Sequence, residues 1–308
     1  MTAPIRLKGI VPPLATPLTA EGALDLAGLH TLVEHELAGG VSGVFILGTT
    51  GEGPHLDPAL RGEVVTHACR EVSGRIPVLV GLCDSSTTAN LRFAEFAAAA
   101  GASALVLTPP FYMPLSQDEL LAYLERLVPA LPLPVYLYNI PGLTKIQFAP
   151  ATVKRAFGAL PIAGLKDSSN DLAYFAAVRA ELPRATGFQL FCGPEEVLLE
   201  AIRLGADGGV CGGANLFPRL YVDLYEHATH GRYDDAAALQ QRIRELSACV
   251  YAQTSYATSY LRGLKAAMGI LGICQPHLAA PLAPLPEACR LRIGDYLSGF
   301  AGHATVDR

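Results

Sequence analysis

Short, almost purely apolar runs recur eight times along this chain, each followed by an amphipathic stretch. That alternation limits the fold more than any other feature. The runs fall at 9–14, 44–48, 78–82, 104–108, 135–139, 163–166, 189–192 and 209–211. Strands buried on both faces read this way, because a parallel sheet is covered by helices on one side and packed on the other. Helix punctuation lies between the runs. Asp25 precedes a helical segment at 26–37, and Asp57 before Pro58 is a cap with a first-turn proline. A segment at 87–100 stops at Gly101, and Ser116 with Glu119 makes a capping box before Leu120. Further helices are expected at 150–157, 171–181, 195–204 and 218–230. Eight strand–helix units in series predict an α/β fold, a (β/α)8 TIM barrel rather than an open sheet. Periodicity alone does not close the ring.

After Gly231 the pattern is helical only, at 234–251, 255–270 and 286–300. The expected division is a barrel over 1–230 and a helical extension over 231–308, packed on the barrel or on another subunit. With 308 residues, 51% hydrophobic and 17% charged, the chain can bury the core such a barrel needs. The formal net charge is -5 and no basic run stands out, so neither nucleic acid nor an anionic membrane is an expected partner. The residues from Met1 to Arg6 carry no signal-like apolar core, and no run is long enough to cross a bilayer. Seven scattered cysteines without a CxxC pair read as reduced, in a cytoplasmic protein. His227 and His230 share a helix face without a third ligand, so no metal is expected.

Lys166 ends the sixth apolar run, in Ile162-Ala163-Gly164-Leu165-Lys166-Asp167. An isolated ammonium among apolar residues is costly, burial favours the neutral amine, and a neutral amine is a nucleophile. Lys166 is therefore a candidate imine former, against the alternative of a strand-end lysine that reaches solvent or pairs with Asp167. In a barrel, reacting groups gather at the C-terminal ends of strands. The second run ends in Gly48-Thr49-Thr50-Gly51-Glu52, where two hydroxyls beside glycines suit a carboxylate, or form an ordinary turn. Tyr136 and Tyr138 share one face of the fifth strand, and Tyr138 lies nearer its end, either as a proton carrier or as core.

With GTTGE at 48–52, YNIP at 138–141 and GLKDSS at 164–169, in that order and at those separations, the chain resembles the dihydrodipicolinate synthase / N-acetylneuraminate lyase family of class I Schiff-base aldolases. The likeness runs over essentially the whole sequence. It implies a (β/α)8 barrel without metal or cofactor, assembled as a dimer of dimers; independently, the histidine pattern disfavours a metal-dependent class II aldolase. It implies Lys166 as the imine-forming residue and Tyr138 as the proton-transfer tyrosine. Thr49 becomes the relay hydroxyl, and Thr50 beside Gly48 holds the 2-oxo-acid carboxylate. Tyr112, in Pro110-Phe111-Tyr112, aligns with an aromatic that reaches the neighbouring subunit's site. One position departs from the synthases: Leu143 stands where they carry an arginine that grips a second carboxylate, a bond leucine cannot make. Pro54, Pro58 and Ser85 do not match the residues that bind feedback lysine in some synthases.

Cys192-Gly193-Pro194-Glu195-Glu196 resembles the loop with which sialic-acid lyases hold substrate hydroxyls. Gly193, Glu195 and Glu196 are thus candidate substrate contacts, though paired acids also suit the first turn of a helix. The stretch from Gly208 through Val210 to Gly213 either turns backbone amides to a ligand or allows tight packing. The reading is an enzyme whose small-molecule partners are pyruvate and an aldehyde. The preferred substrate is a 2-keto-3-deoxy sugar acid. Alternatives are condensation of pyruvate with aspartate semialdehyde, dehydration of a keto-deoxy sugar acid, and a non-catalytic barrel that binds a 2-oxo acid.

Overall fold

The computed structural model describes residues 6–301. Its strands are β1 (Gly9–Ile10), β2 (Val44–Ile46), β3 (Val78–Leu82), β4 (Ala104–Leu107), β5 (Val135–Asn139), β6 (Ile162–Asp167), β7 (Gln189–Cys192) and β8 (Gly208–Gly209). All pair in parallel, in the order β1-β8-β7-β6-β5-β4-β3-β2. Backbone bonds from Ser42 N–H to Ile10 O, Phe45 N–H to Pro12 O and Leu14 N–H to Phe45 O, each 2.8 Å, close β1 onto β2 and make the sheet a ring. Pro12 and Pro13 have no N–H to give, so of the strand expected over 9–14 only Gly9–Ile10 is continuous, and the rest keeps a single parallel bridge between Pro13 and Phe45. β8 also ends earlier than expected, because the chain enters a 3-10 turn at Gly212–Asn215.

Period-two alternation sorts the side chains. Phe45, Leu79, Val106, Tyr136, Tyr138 and Phe191 fill the barrel interior, and Val44, Val80, Leu105, Leu137, Leu165 and Leu190 face the helices. The helical mantle begins where the sequence caps it. Asp25 accepts from Gly28 N–H at 2.9 Å to open Leu26–Ala38. Asp57 opens Pro58–Val72, and Ser116 with Glu119 makes the reciprocal box at Gln117–Leu127.

The helix expected over 195–204 breaks into a 3-10 turn, Glu195–Val197, and a helix, Leu198–Arg203. Gln240 is the cause. Its side chain donates to Glu195 O and accepts from Leu199 N–H, both at 2.8 Å. Those two groups would otherwise bond each other in a continuous helix. Gln240 belongs to Tyr233–Val250, which packs on Pro218–Thr229. Ser259–Ile270 and Glu287–Ala301 pack on each other, and the first begins four residues later than expected.

Candidate active site

The parallel register of β5 and β6 places Tyr138 opposite Lys166 and Asn139 opposite Asp167. Alternation sends the first pair into the barrel and the second outward. The outward pair is structural: Asn139 donates to Asp167 at 2.8 Å and accepts from Phe148 N–H at 3.0 Å, which clamps both strand ends. Inside, the buried Lys166 ammonium lies 4.0 Å from the ring centre of Tyr138 and 5.0 Å from that of Phe45. The Tyr138 hydroxyl is 3.3 Å from Thr49 Oγ1. Burial by itself pushes this phenol up. The positive charge of Lys166 and hydrogen bonds with Lys166, Thr49 and Ser168 outweigh burial and hold its pKa below the ordinary value. A phenol that ionises more readily, beside an amine and a hydroxyl, is equipped to carry a proton.

The loop after β2 is built to aim its hydroxyls. Leu47 is fully buried with a left-handed backbone, φ 59°, a strained choice for a branched residue. Gly53 makes room for it, since an added Cβ would overlap the Leu47 carbonyl. Glu52 anchors the loop from below. Its carboxylate pairs with Lys265 at 3.3 Å and accepts from Ala279 N–H at 2.7 Å, both partners lying beyond the barrel. Thr50 Oγ1 meets the Tyr260 hydroxyl at 2.9 Å.

Tyr260 was not legible as a site residue, and neither were Tyr251, Ser247 and Ser168. All four line a cavity of about 340 Å³ with Lys166, Thr49, Thr50 and Tyr138. The Tyr251 and Tyr260 rings meet edge to face at 4.8 Å. A sequence signal existed for two of them: the run from Tyr251 to Tyr260, at the junction of two helical segments, is rich in hydroxyls and aromatics. A neighbouring apolar chamber of about 220 Å³ shares Thr49, Tyr138 and Ile140 with the first and adds Phe45, Val106 and Phe111.

Gly48 and Leu143 line the apolar chamber rather than the polar cavity. Leu143 is half-exposed, on a short helix at Pro141–Thr144 that the sequence did not announce. Tyr112 is 80% exposed and lines neither space.

Three expected contacts need correction. Glu195 does not stand free for a polyol: it is buried and accepts from Tyr221 Oη at 2.7 Å, Tyr251 Oη at 3.0 Å and Gly213 N–H at 2.8 Å. A carboxylate has about four acceptor positions, so little capacity remains. Burial, with the nearby charge of Glu196, raises its pKa to about 7 against those three bonds. The Val210 and Gly193 amides are also committed, to Cys192 O and Asp167 O at 2.7 Å. Both residues border the cavity without a free donor there. The glycine-rich stretch instead serves close packing, since an added Cβ at Gly212 would overlap the Tyr260 hydroxyl. Glu196 keeps a more open place at the rim, where it accepts from Ser247 Oγ.

Residues 6–299 match the sequence model of the Dihydrodipicolinate synthetase family. The chain belongs to this family. A 4-hydroxy-tetrahydrodipicolinate synthase from Salinibacter ruber is 32% identical over 286 residues, 92% of each chain. An uncharacterised DapA-like lyase from Halobacterium salinarum is 34% identical, over 92% of this chain and 91% of its own. Among solved structures, dihydrodipicolinate synthase from Bacteroides thetaiotaomicron is 43% identical with a TM-score of 0.93, covering 96% of this chain and 99% of its own. A prophage protein of the family from E. coli K12, solved with pyruvate, is 29% identical with a TM-score of 0.90, over 96% and 98%. Family members are lysine Schiff-base class I lyases, and this chain is an enzyme of that type. The fold is accordingly that of an α/β barrel.

Proposed function

We propose that Lys166 is the imine-forming residue of a pyruvate aldolase. The observation that carries this reading is the placement of its ammonium 4.0 Å from the Tyr138 ring, with Thr49 on the Tyr138 hydroxyl at 3.3 Å. Lys265 is the other buried lysine, and it is already held by Glu52 and two backbone carbonyls. In cleavage, the Lys166 amine attacks the substrate C2 ketone and water leaves. The resulting iminium draws electrons from the C3–C4 bond while Tyr138, relayed through Thr49, takes the C4 hydroxyl proton. An aldehyde departs, the enamine is protonated at C3, and hydrolysis frees pyruvate and the amine. Thr50, fixed by Tyr260, holds the carboxylate.

The substrate reading is a 2-keto-3-deoxy sugar acid. Leu143 at the rim offers no charge to a second carboxylate, and neither chamber is lined by an arginine among the described residues. The wall beyond Lys166 offers Ser168, Ser247, Glu196 and Tyr251 to hydroxyls. The second reading, condensation with aspartate semialdehyde, is favoured by the names of the Salinibacter and Bacteroides relatives. Exposed Phe111, Tyr112, Met113 and Leu143 support assembly into dimers of dimers, with Tyr112 entering the neighbouring site. We assign the reacting groups to the barrel over 1–230 and the outer wall to the helical extension over 231–308, a division of which residues 1–5 and 302–308 lie outside the described residues. Seven free cysteines support a cytoplasmic setting. The test is borohydride reduction with pyruvate followed by peptide mapping, alongside kcat/KM for keto-deoxy sugar acids and for aspartate semialdehyde. No adduct at Lys166 in active protein removes the mechanism.

A further inference from the structure

At the end of the barrel opposite Lys166 lies a larger cavity, of about 500 Å³. It sits where the chain enters β1, β7 and β8, and Gln189, the first residue of β7, lines it. Four cations face it: Arg6, Lys8, Arg184 and Arg203. Arg6 and Lys8 come from the segment entering β1, whereas Arg184 and Arg203 lie more than 170 residues further on, and the chain as a whole carries a net charge of -5, so general basicity does not explain their meeting.

The cavity has one acid, Asp207, and it is already spent. Its carboxylate accepts from Arg179 at 2.7 Å and from Leu190 N–H at 2.9 Å. Arg179 does not line the cavity. Arg184 is 3.9 Å from Asp207 and is fixed by the carbonyls of Gly205 and Ala206, at 3.2 and 2.7 Å. Arg203 is held over the Tyr233 ring at 4.8 Å. Among the described residues, Arg6, Lys8 and Arg203 have no carboxylate partner. Cations that converge without compensation raise the local concentration of anions, and guanidinium groups held in place are suited to oxyanions. Phe188, Tyr225 and Tyr233 add apolar surface for an organic body.

We propose that this cavity is a binding site for a small organic polyanion, a phosphate ester or a polycarboxylate, separate from the Lys166 chamber. The proposal does not depend on the substrate reading. The test is calorimetric titration of the whole protein with inorganic pyrophosphate and with citrate at constant ionic strength. One saturable site per chain is expected. Lys8→Glu/Arg203→Glu, both exposed positions, should weaken it at least about tenfold with melting temperature unchanged, and Lys8→Gln/Arg203→Gln serves if charge reversal unfolds the chain. Thr50→Val, at the opposite mouth, should leave it intact. Tighter pyrophosphate names the phosphoryl class, and tighter citrate the polycarboxylate class. Heat that never saturates, chloride acting equally well, an unaffected double variant or loss in Thr50→Val overturns the proposal.

Discussion

Lys166 and Tyr138 face one another across the β5–β6 ladder, and the ammonium of one lies 4.0 Å from the ring centre of the other. The pair belongs to neighbouring strands at the same height, so its geometry is set by backbone hydrogen bonds rather than by a loop. That backbone register does not depend on either side chain, which makes single-residue tests clean.

Lys166→Ala should abolish turnover and remove the borohydride-trapped adduct while circular dichroism stays unchanged. Measurable turnover in the variant would show that another group bonds the ketone.

Tyr138→Phe keeps the ring and should lower kcat by about 10²–10⁴, the range of a positioned acid–base group. The depressed phenol pKa adds a signature. Cleavage needs the phenolate as base, so the rate should rise with pH through an apparent pKa below the ordinary ~10 of a phenol. The variant should lose that limb. An identical pH profile in both proteins would assign it elsewhere.

Glu195 gives a stability prediction. Its folded pKa, raised to about 7, lies above the unfolded carboxyl value. The folded state therefore binds the extra proton between about pH 4.3 and 7, and stability falls as pH rises through that window. The loss is on the order of 3 kcal/mol. Denaturant melts across this range should show a steeper fall in wild type than in Glu195→Gln, which keeps only the share of buried carboxyls such as Glu36 and Asp167.

Lys265→Met leaves Glu52 charged and buried without its partner and should cost about 3–5 kcal/mol. Adding Glu52→Gln should recover much of that loss. Because Glu52 closes the loop bearing Thr49 and Thr50, kcat should fall in the single variant more than in the double. Equal stability of single and double variants would show that the ion pair does not hold the loop.

Leu143→Arg should move kcat/KM toward aspartate semialdehyde, since a charge-assisted carboxylate bond contributes about 1.5–3 kcal/mol. Wild type that already prefers the semialdehyde over every sugar acid offered would reverse the substrate reading.

The sequence by itself determined what depends on local periodicity. Eight apolar runs gave strands whose bounds move by only a few residues. Alternation within 135–139 put Tyr136 and Tyr138 on one face, and Asp25, Asp57 and Ser116 opened their helices by short-range hydrogen bonds. The meeting of Lys166, Tyr138 and Thr49 was legible because all three lie at strand ends, and a barrel brings those ends together.

Only the tertiary structure decided the rest, because it rests on pairs distant in sequence. Tyr260 on Thr50 spans 210 residues, and no local pattern encodes that encounter. Gln240 breaks a helix whose own sequence favours continuity, by supplying both hydrogen bonds that the broken turn gives up. Glu195, an acid by composition, becomes a buried acceptor because Tyr221, Tyr251 and Gly213 converge on it. The Arg6–Lys8 pair, Arg184 and Arg203 are separated along the chain, and they form one basic cavity only after the barrel has closed. Backbone propensity acts over a few residues, whereas packing joins whatever the closed ring brings within reach.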